Sequence, residues 1–137
     1  MREDKVFLDT NIFIYAYSSS EPDKRHLAVQ IFDVYCCVAS MQILNEISNV
    51  LFQKNKYSAE KIYEYLNDIE NNCSEILLIT RATINSALSL KQVYGYSFYD
   101  CLVLASALEA GCDTLFTEDM QHGRLIQGRL TIKNPFI

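Results

Sequence analysis

The sequence predicts an α/β fold, a single domain built on a central parallel sheet of about five strands with helices on both faces. Three observations predict it. Short apolar runs rich in strand formers alternate along the chain with segments of helical period. Capping residues stand at the junctions between them. The 137 residues are half hydrophobic, with two prolines and four glycines, which suits one packed core without long linkers.

The elements follow in order. Lys5 to Leu8 reads as a strand ending at Asp9, with a short helix from Ile12 to Tyr17 behind it. SSSEPDK reads as a turn, and Ser20 or Asp23 is available to cap a helix over about 23–33 with Leu27, Ile31 and Val34 inward. Tyr35 to Ala39 is a second strand. Ser40 caps a helix carrying Ile43, Ile47, Val50 and Leu51, and Ser58 caps another with Ile62, Tyr65, Leu66 and Ile69 inward. Ile76 to Ile79 is a continuous apolar run, as expected of a strand covered on both faces. A helix from Ala82 to Val93 is broken by Gly95, and Ser97 opens the next, which ends near Gly111. Thr114 to Thr117 is a fourth strand and Leu130 to Ile132 a fifth.

Several function classes are excluded or disfavoured. A net charge of −5 argues against a protein that coats nucleic acid, although an acidic site neutralised by metal can still meet phosphate. The five cysteines have no zinc-ligand spacing. Cys36, Cys101 and Cys112 sit in apolar runs as small hydrophobes, which suits a reducing cytoplasm. The start, MREDKVFLD, has no apolar stretch of signal-peptide length, and no run is long enough to span a membrane.

Four carboxylates carry the functional signal: Asp9, Glu46, Asp100 and Asp119. Asp9 and Asp119 stand at the carboxyl ends of strands, where open α/β sheets bind ligands. Glu46 lies at the rim of a helix's apolar stripe. Asp100 precedes Val103, Leu104 and Ala107 at helical spacing, so it points with an apolar face. Each has a plain structural reading. Asp9 can cap a helix, Glu46 can reach water, Asp100 can complete a capping box with Ser97, and Asp119 can sit in a solvated turn beside Glu118. Together they need a common cause, because desolvated carboxylates require compensation. A divalent cation such as Mg²⁺ or Mn²⁺ prefers such oxygen ligands. His26 and His122 form no competing metal site.

The stretch SFYDCLVLASALEAGCDTLFTEDMQHG resembles the third and fourth motifs of the PIN-domain family. FLDTNIFIYAYS resembles its first motif, SMQILNEISNVL its second, and the ending NPF its bacterial VapC-like branch. The resemblance implies a metal-dependent endoribonuclease, with the family's acidic quartet falling on Asp9, Glu46, Asp100 and Asp119 and its supporting polar positions on Asn11 and Thr117. It implies Mg²⁺ or Mn²⁺ held by the quartet, and RNA cleaved to 5′-phosphate and 3′-hydroxyl ends. It also implies an antitoxin partner and a homodimer. RNA contacts are not legible: Lys54, Lys56, Arg124 and Arg129 are available for phosphates but are by default solvated. Tyr15, Tyr17, Tyr96, Phe98 and Tyr99 read as core or interface. Two rivals stand beside this reading. A haloacid-dehalogenase-like phosphatase wants a second Asp where Asn11 stands, and a non-catalytic α/β binding domain of the receiver type wants an Asp where Thr80 follows the third strand.

Overall fold

The computed structural model describes residues 4–137, so the first three residues of the charged start lie outside it. Six strands form one sheet in the order β3-β2-β1-β4-β6-β5. β1 (Lys5–Leu8), β2 (Cys36–Ser40), β3 (Glu75–Leu77), β4 (Thr114–Phe116) and β6 (Leu130–Lys133) pair in parallel, as expected. The sequence reading missed β5 (Leu125–Ile126), a two-residue strand antiparallel to β6. It is too short to show an alternating pattern.

The chain leaves β1 toward β2 and β3, then returns to β4 on the other side. Crossovers between parallel strands are right-handed, so excursions in opposite directions lay their helices on opposite faces. α1 (Thr10–Tyr17), α2 (Pro22–Val34), α3 (Met41–Gln53) and α4 (Ala59–Asn72) lie on the way out. α5 (Arg81–Tyr94) and α6 (Phe98–Glu109) lie on the return and pack as a pair. β1 is covered on both faces, and Val6, Phe7 and Leu8 are fully buried. The strand order reverses between β1 and β4, which opens a crevice at their carboxyl ends.

Local capping chemistry sets most helix starts. The hydroxyls of Ser40, Ser58 and Ser97 accept from the backbone N–H of Ile43, Lys61 and Asp100. Thr80 and Thr83 form a reciprocal box at the start of α5. α2 differs from expectation. Neither Ser20 nor Asp23 caps it; Glu21 takes the position without a side-chain bond, and Pro22 starts the helix because its fixed φ suits the first turn. On its inner side Ala28 and Ile31 are buried, whereas Leu27 and Val34 are exposed. β3 also differs: it is the sheet edge, Ile76 and Leu77 are only half-buried, and Leu78 is 69% exposed. In β2 it is Cys37 that is buried and Cys36 that is half-buried, because successive strand side chains face opposite sides.

Gly95 closes α5 with φ +78° and leads within two residues into the Ser97 cap of α6. An added Cβ would meet nothing within 4 Å, so a substitution here costs only backbone strain. Gly95→Ala is expected to lower unfolding free energy by about 1–2 kcal/mol in urea titrations. An unchanged midpoint would show that the αL geometry is not required.

Candidate active site

Asp9 is the buried centre of the crevice, with 4% of its surface exposed. It caps α1, but through an uncommon geometry: Oδ1 accepts from the adjacent Thr10 N–H at 2.8 Å rather than from the second or third residue of the helix. Oδ2 turns instead to β4 and accepts from the Thr117 hydroxyl at 2.8 Å. Thr117 Oγ1 in turn accepts from the Asp119 backbone N–H at 3.1 Å. One oxygen of Asp9 therefore serves the helix cap while the other is turned across to β4. Thr117 couples two sequence-predicted acids directly. Asn11 sits half-buried in the first turn of α1.

The four acids arrive from four separate places: the end of β1, the middle of α3, the first turn of α6 and the turn after β4. They are close enough to feel one another. Burial pushes the Asp9 carboxyl up to about 6; the bonds from Thr117 and Thr10 pull it back, and the charges of Asp119 and Glu46 push it further up. Asp100 is raised by burial and by Glu46, against its bond with Ser97. Asp119 is raised by burial and then by Glu118, Asp100 and Glu46. The capping box at Asp100 is half present, since Ser97 accepts from the Asp100 N–H. The stripe argument for Asp100 needs correction: Cys101 through Leu108 are all buried, so α6 has no single apolar face for an acid to interrupt.

Glu118 and Asp119 part company. The Glu118 carboxylate takes a hydrogen bond from the Tyr15 hydroxyl and lies 3.1 Å from Lys24 Nζ. Lys24 also lies over the Tyr15 and Phe136 rings. Asp119, which has no such partner among the described residues, is left near the other acids. The sequence offered no way to see this, because Lys24 is more than ninety residues away.

Two further groups at the site were read from sequence as packing or not at all. Thr10 Oγ1 and the Tyr99 hydroxyl are buried and without partners. Tyr99 faces Glu46 and Thr10 without reaching hydrogen-bond geometry; burial, Glu46 and Asp9 hold its phenol protonated beyond its ordinary range. Glu46 and Tyr99 open onto a cavity of about 330 Å³ together with Gln42, Asn45 and Asn49. A larger cavity, about 520 Å³, lies between Ser86, Leu108 and Arg129, but holds none of these acids. We place the site by its carboxylates, not by cavity size.

The donor set suits a hard cation: all ligands are oxygens, all raised acids are destabilised by one another, and two buried hydroxyls lack partners. Among the described residues no three His, Cys, Asp or Glu side chains converge closely enough to grip one ion directly. Mg²⁺ does not need that, because it keeps several waters and takes as few as one or two carboxylates.

A PIN domain family model matches residues 6–125. The chain belongs to the PIN domain family. Of the rivals, the phosphatase reading gives way to this match. Solved structures agree in fold at low identity. A toxin–antitoxin complex from Klebsiella pneumoniae is 20% identical with a TM-score of 0.67, covering 95% of this chain and 97% of that one. The VapC20 toxin of Mycobacterium tuberculosis, described as cleaving the sarcin–ricin loop, is 15% identical at 0.67, covering 83% and 91%. VapBC2 of Rickettsia felis, bound to a fragment of its promoter DNA, is 17% identical at 0.65, covering 95% and 99%. No curated protein matched. Among the described residues of this PIN domain, no helix is long and apolar enough to cross a membrane.

The raised Asp9 gives a pH signature. Its folded pKa, about 6, exceeds the unfolded value near 3.9, so the folded state holds the proton more tightly. The stabilisation is fully present below pH ~4 and is lost as pH rises through ~6. In EDTA, the stability of the wild type relative to Asp9→Asn is expected to fall by up to about 3 kcal/mol between pH 4 and 7. A difference that stays constant over that range would remove Asp9 as a strained carboxylate.

Proposed function

We propose that this PIN domain is an endoribonuclease that uses Mg²⁺ or Mn²⁺ and acts as the toxin of a toxin–antitoxin pair. The observation that carries the reading is that four acids from distant parts of the chain lie near enough for their like charges to raise one another. Repulsion of this kind persists in a fold when a bound cation offsets it. Asp9 and Asp100 are the main residues to hold the ion, with Glu46 and Asp119 completing the site directly or through water. When bound, the cation lowers the pKa of a water and stabilises charge on the phosphate under attack.

The protein's own residues do the rest. Through two hydrogen bonds of one hydroxyl, Thr117 fixes the rotamer of Asp9 and the backbone of Asp119, which sets the spacing of two acids. Lys24 and Tyr15 engage the Glu118 carboxylate, although its charge still acts on Asp119. The half-buried Asn11 and the buried, unpartnered hydroxyls of Thr10 and Tyr99 would offer polar groups for orienting water or a phosphate oxygen. RNA as substrate, an antitoxin protein as partner and self-association as a dimer go with the same reading. Support comes from family membership and from the toxins of shared fold.

The test is cleavage of total RNA in Mg²⁺ or Mn²⁺, with mapping of the cut ends. Asp9→Asn and Asp100→Asn are each expected to lower the rate by roughly 100-fold or more, a loss of about 2.7 kcal/mol of transition-state stabilisation. Full metal-dependent cleavage by either variant would falsify the assignment. Mn²⁺ titration by calorimetry checks binding apart from activity: weaker binding is expected in both variants.

A further inference from the structure

An acidic site in a protein of net charge −5 repels a polyanion, so strand binding needs cations near the acids that no carboxylate has already neutralised. Most basic side chains with described contacts are committed elsewhere. Lys5 pairs with Glu75, Lys24 with Glu118, and Arg129 donates to the Leu108 carbonyl. Lys91 donates to the Tyr96 carbonyl. Lys61 lies over Tyr57 and Tyr65, but on α4, which carries none of the four acids.

Arg124 is different. Its guanidinium carbon lies 5.0 Å from the Tyr94 ring centroid and 5.2 Å from that of Tyr96. Lys91 and Arg129 also make no salt bridge, but their charged groups are tied to carbonyls, whereas the Arg124 guanidinium makes neither a salt bridge nor a hydrogen bond among the described residues. Ring contacts of this kind restrict the side chain without cancelling its charge. Both ends of the contact are fixed. The Arg124 carbonyl accepts from Ile132 N–H at 2.9 Å and the Gly123 N–H donates to the Ile132 carbonyl at 2.7 Å, which ties its backbone to β6. The Tyr94 hydroxyl accepts from the Gln127 N–H at 2.8 Å, and the Tyr96 hydroxyl is buried. The contact also joins two segments that carry acids: Arg124 follows Asp119 by five residues, and the two rings directly precede the Ser97 cap and Asp100.

We propose that Arg124, held by Tyr94 and Tyr96 without an anionic partner, is the phosphate-positioning residue for an RNA strand entering the acidic site. The proposal rests on the endoribonuclease reading above. The planar guanidinium offers paired donors matched to phosphate oxygens, and its restricted side chain loses little entropy on binding. The contact reads backbone charge, so it serves RNA of any sequence.

The test uses the full chain carrying Asp100→Asn, chosen to slow cutting during the measurement, and a fluorescent single-stranded RNA oligonucleotide of mixed sequence in Mg²⁺. Adding Arg124→Met, which keeps most of the apolar stem over the rings, is expected to weaken binding roughly 3- to 10-fold near 0.1 M salt and to lower the salt-dependence slope by about 0.7, the value for one phosphate contact on a single strand. Arg124→Lys should keep the slope. A thermal midpoint shared by the Met and Lys variants separates charge from packing. If Arg124→Met leaves affinity and slope unchanged, the arginine is only a stacking residue and the proposal fails, while the nuclease reading stands. If no form of the protein binds the oligonucleotide even at low salt, the nuclease reading fails and the arginine falls with it.

Discussion

The Asp9 carboxylate, clamped between the Thr10 N–H and the Thr117 hydroxyl, is the contact on which the rest of the site depends. It exists because β1 and β4 are neighbours in parallel register, with Leu8 opposite Phe116. The next residue on each strand then faces the same crevice. A slip of one position would turn Thr117 to the other side of the sheet and leave Asp9 with an unpaired, desolvated oxygen. Register, burial and acid spacing are therefore one constraint seen at three levels.

Around that contact the fold concentrates negative charge and then manages it selectively. Four acids are left facing one another, and the fifth is drawn off. Lys24 and Tyr15 hold Glu118, and the ring of Phe136 near the end of the chain packs on the same ammonium and on Tyr15. Adjacent residues in the turn after β4 thus end in opposite electrostatic settings. One is compensated by a lysine and the other is raised by its neighbours' charge. The backbone of the turn is tied at Thr117, and the side-chain contacts to Lys24 and Tyr15 complete the division.

Local chemistry was legible in the sequence and long-range geometry was not. The caps at Ser40, Ser58 and Ser97 and the break at Gly95 depend on residues within one turn of each other, and they stand where the residue types place them. The edge position of β3, the burial of α6 on all sides and the separation of Glu118 from Asp119 depend on which strands end up adjacent. No window of sequence contains that information. The same division runs through the site. Asp9, Glu46, Asp100 and Asp119 were singled out by residue type and motif, whereas the buried Tyr99 and Thr10 hydroxyls and the rings over Arg124 emerged only once α1, α3, α6 and the β5–β6 hairpin were brought together.

The bond between Thr117 and Asp9 spans 108 positions. During synthesis β1 and its acid emerge well before β4. Until then Asp9 has no β4 beside it, its side chain stays hydrated, and the four carboxylates remain apart. Loop closure over such a separation is slow to nucleate and cannot be anticipated by local pairing. The centre therefore assembles only after β4 has joined β1, and the acidic crevice is a product of the folded sheet rather than of any early segment.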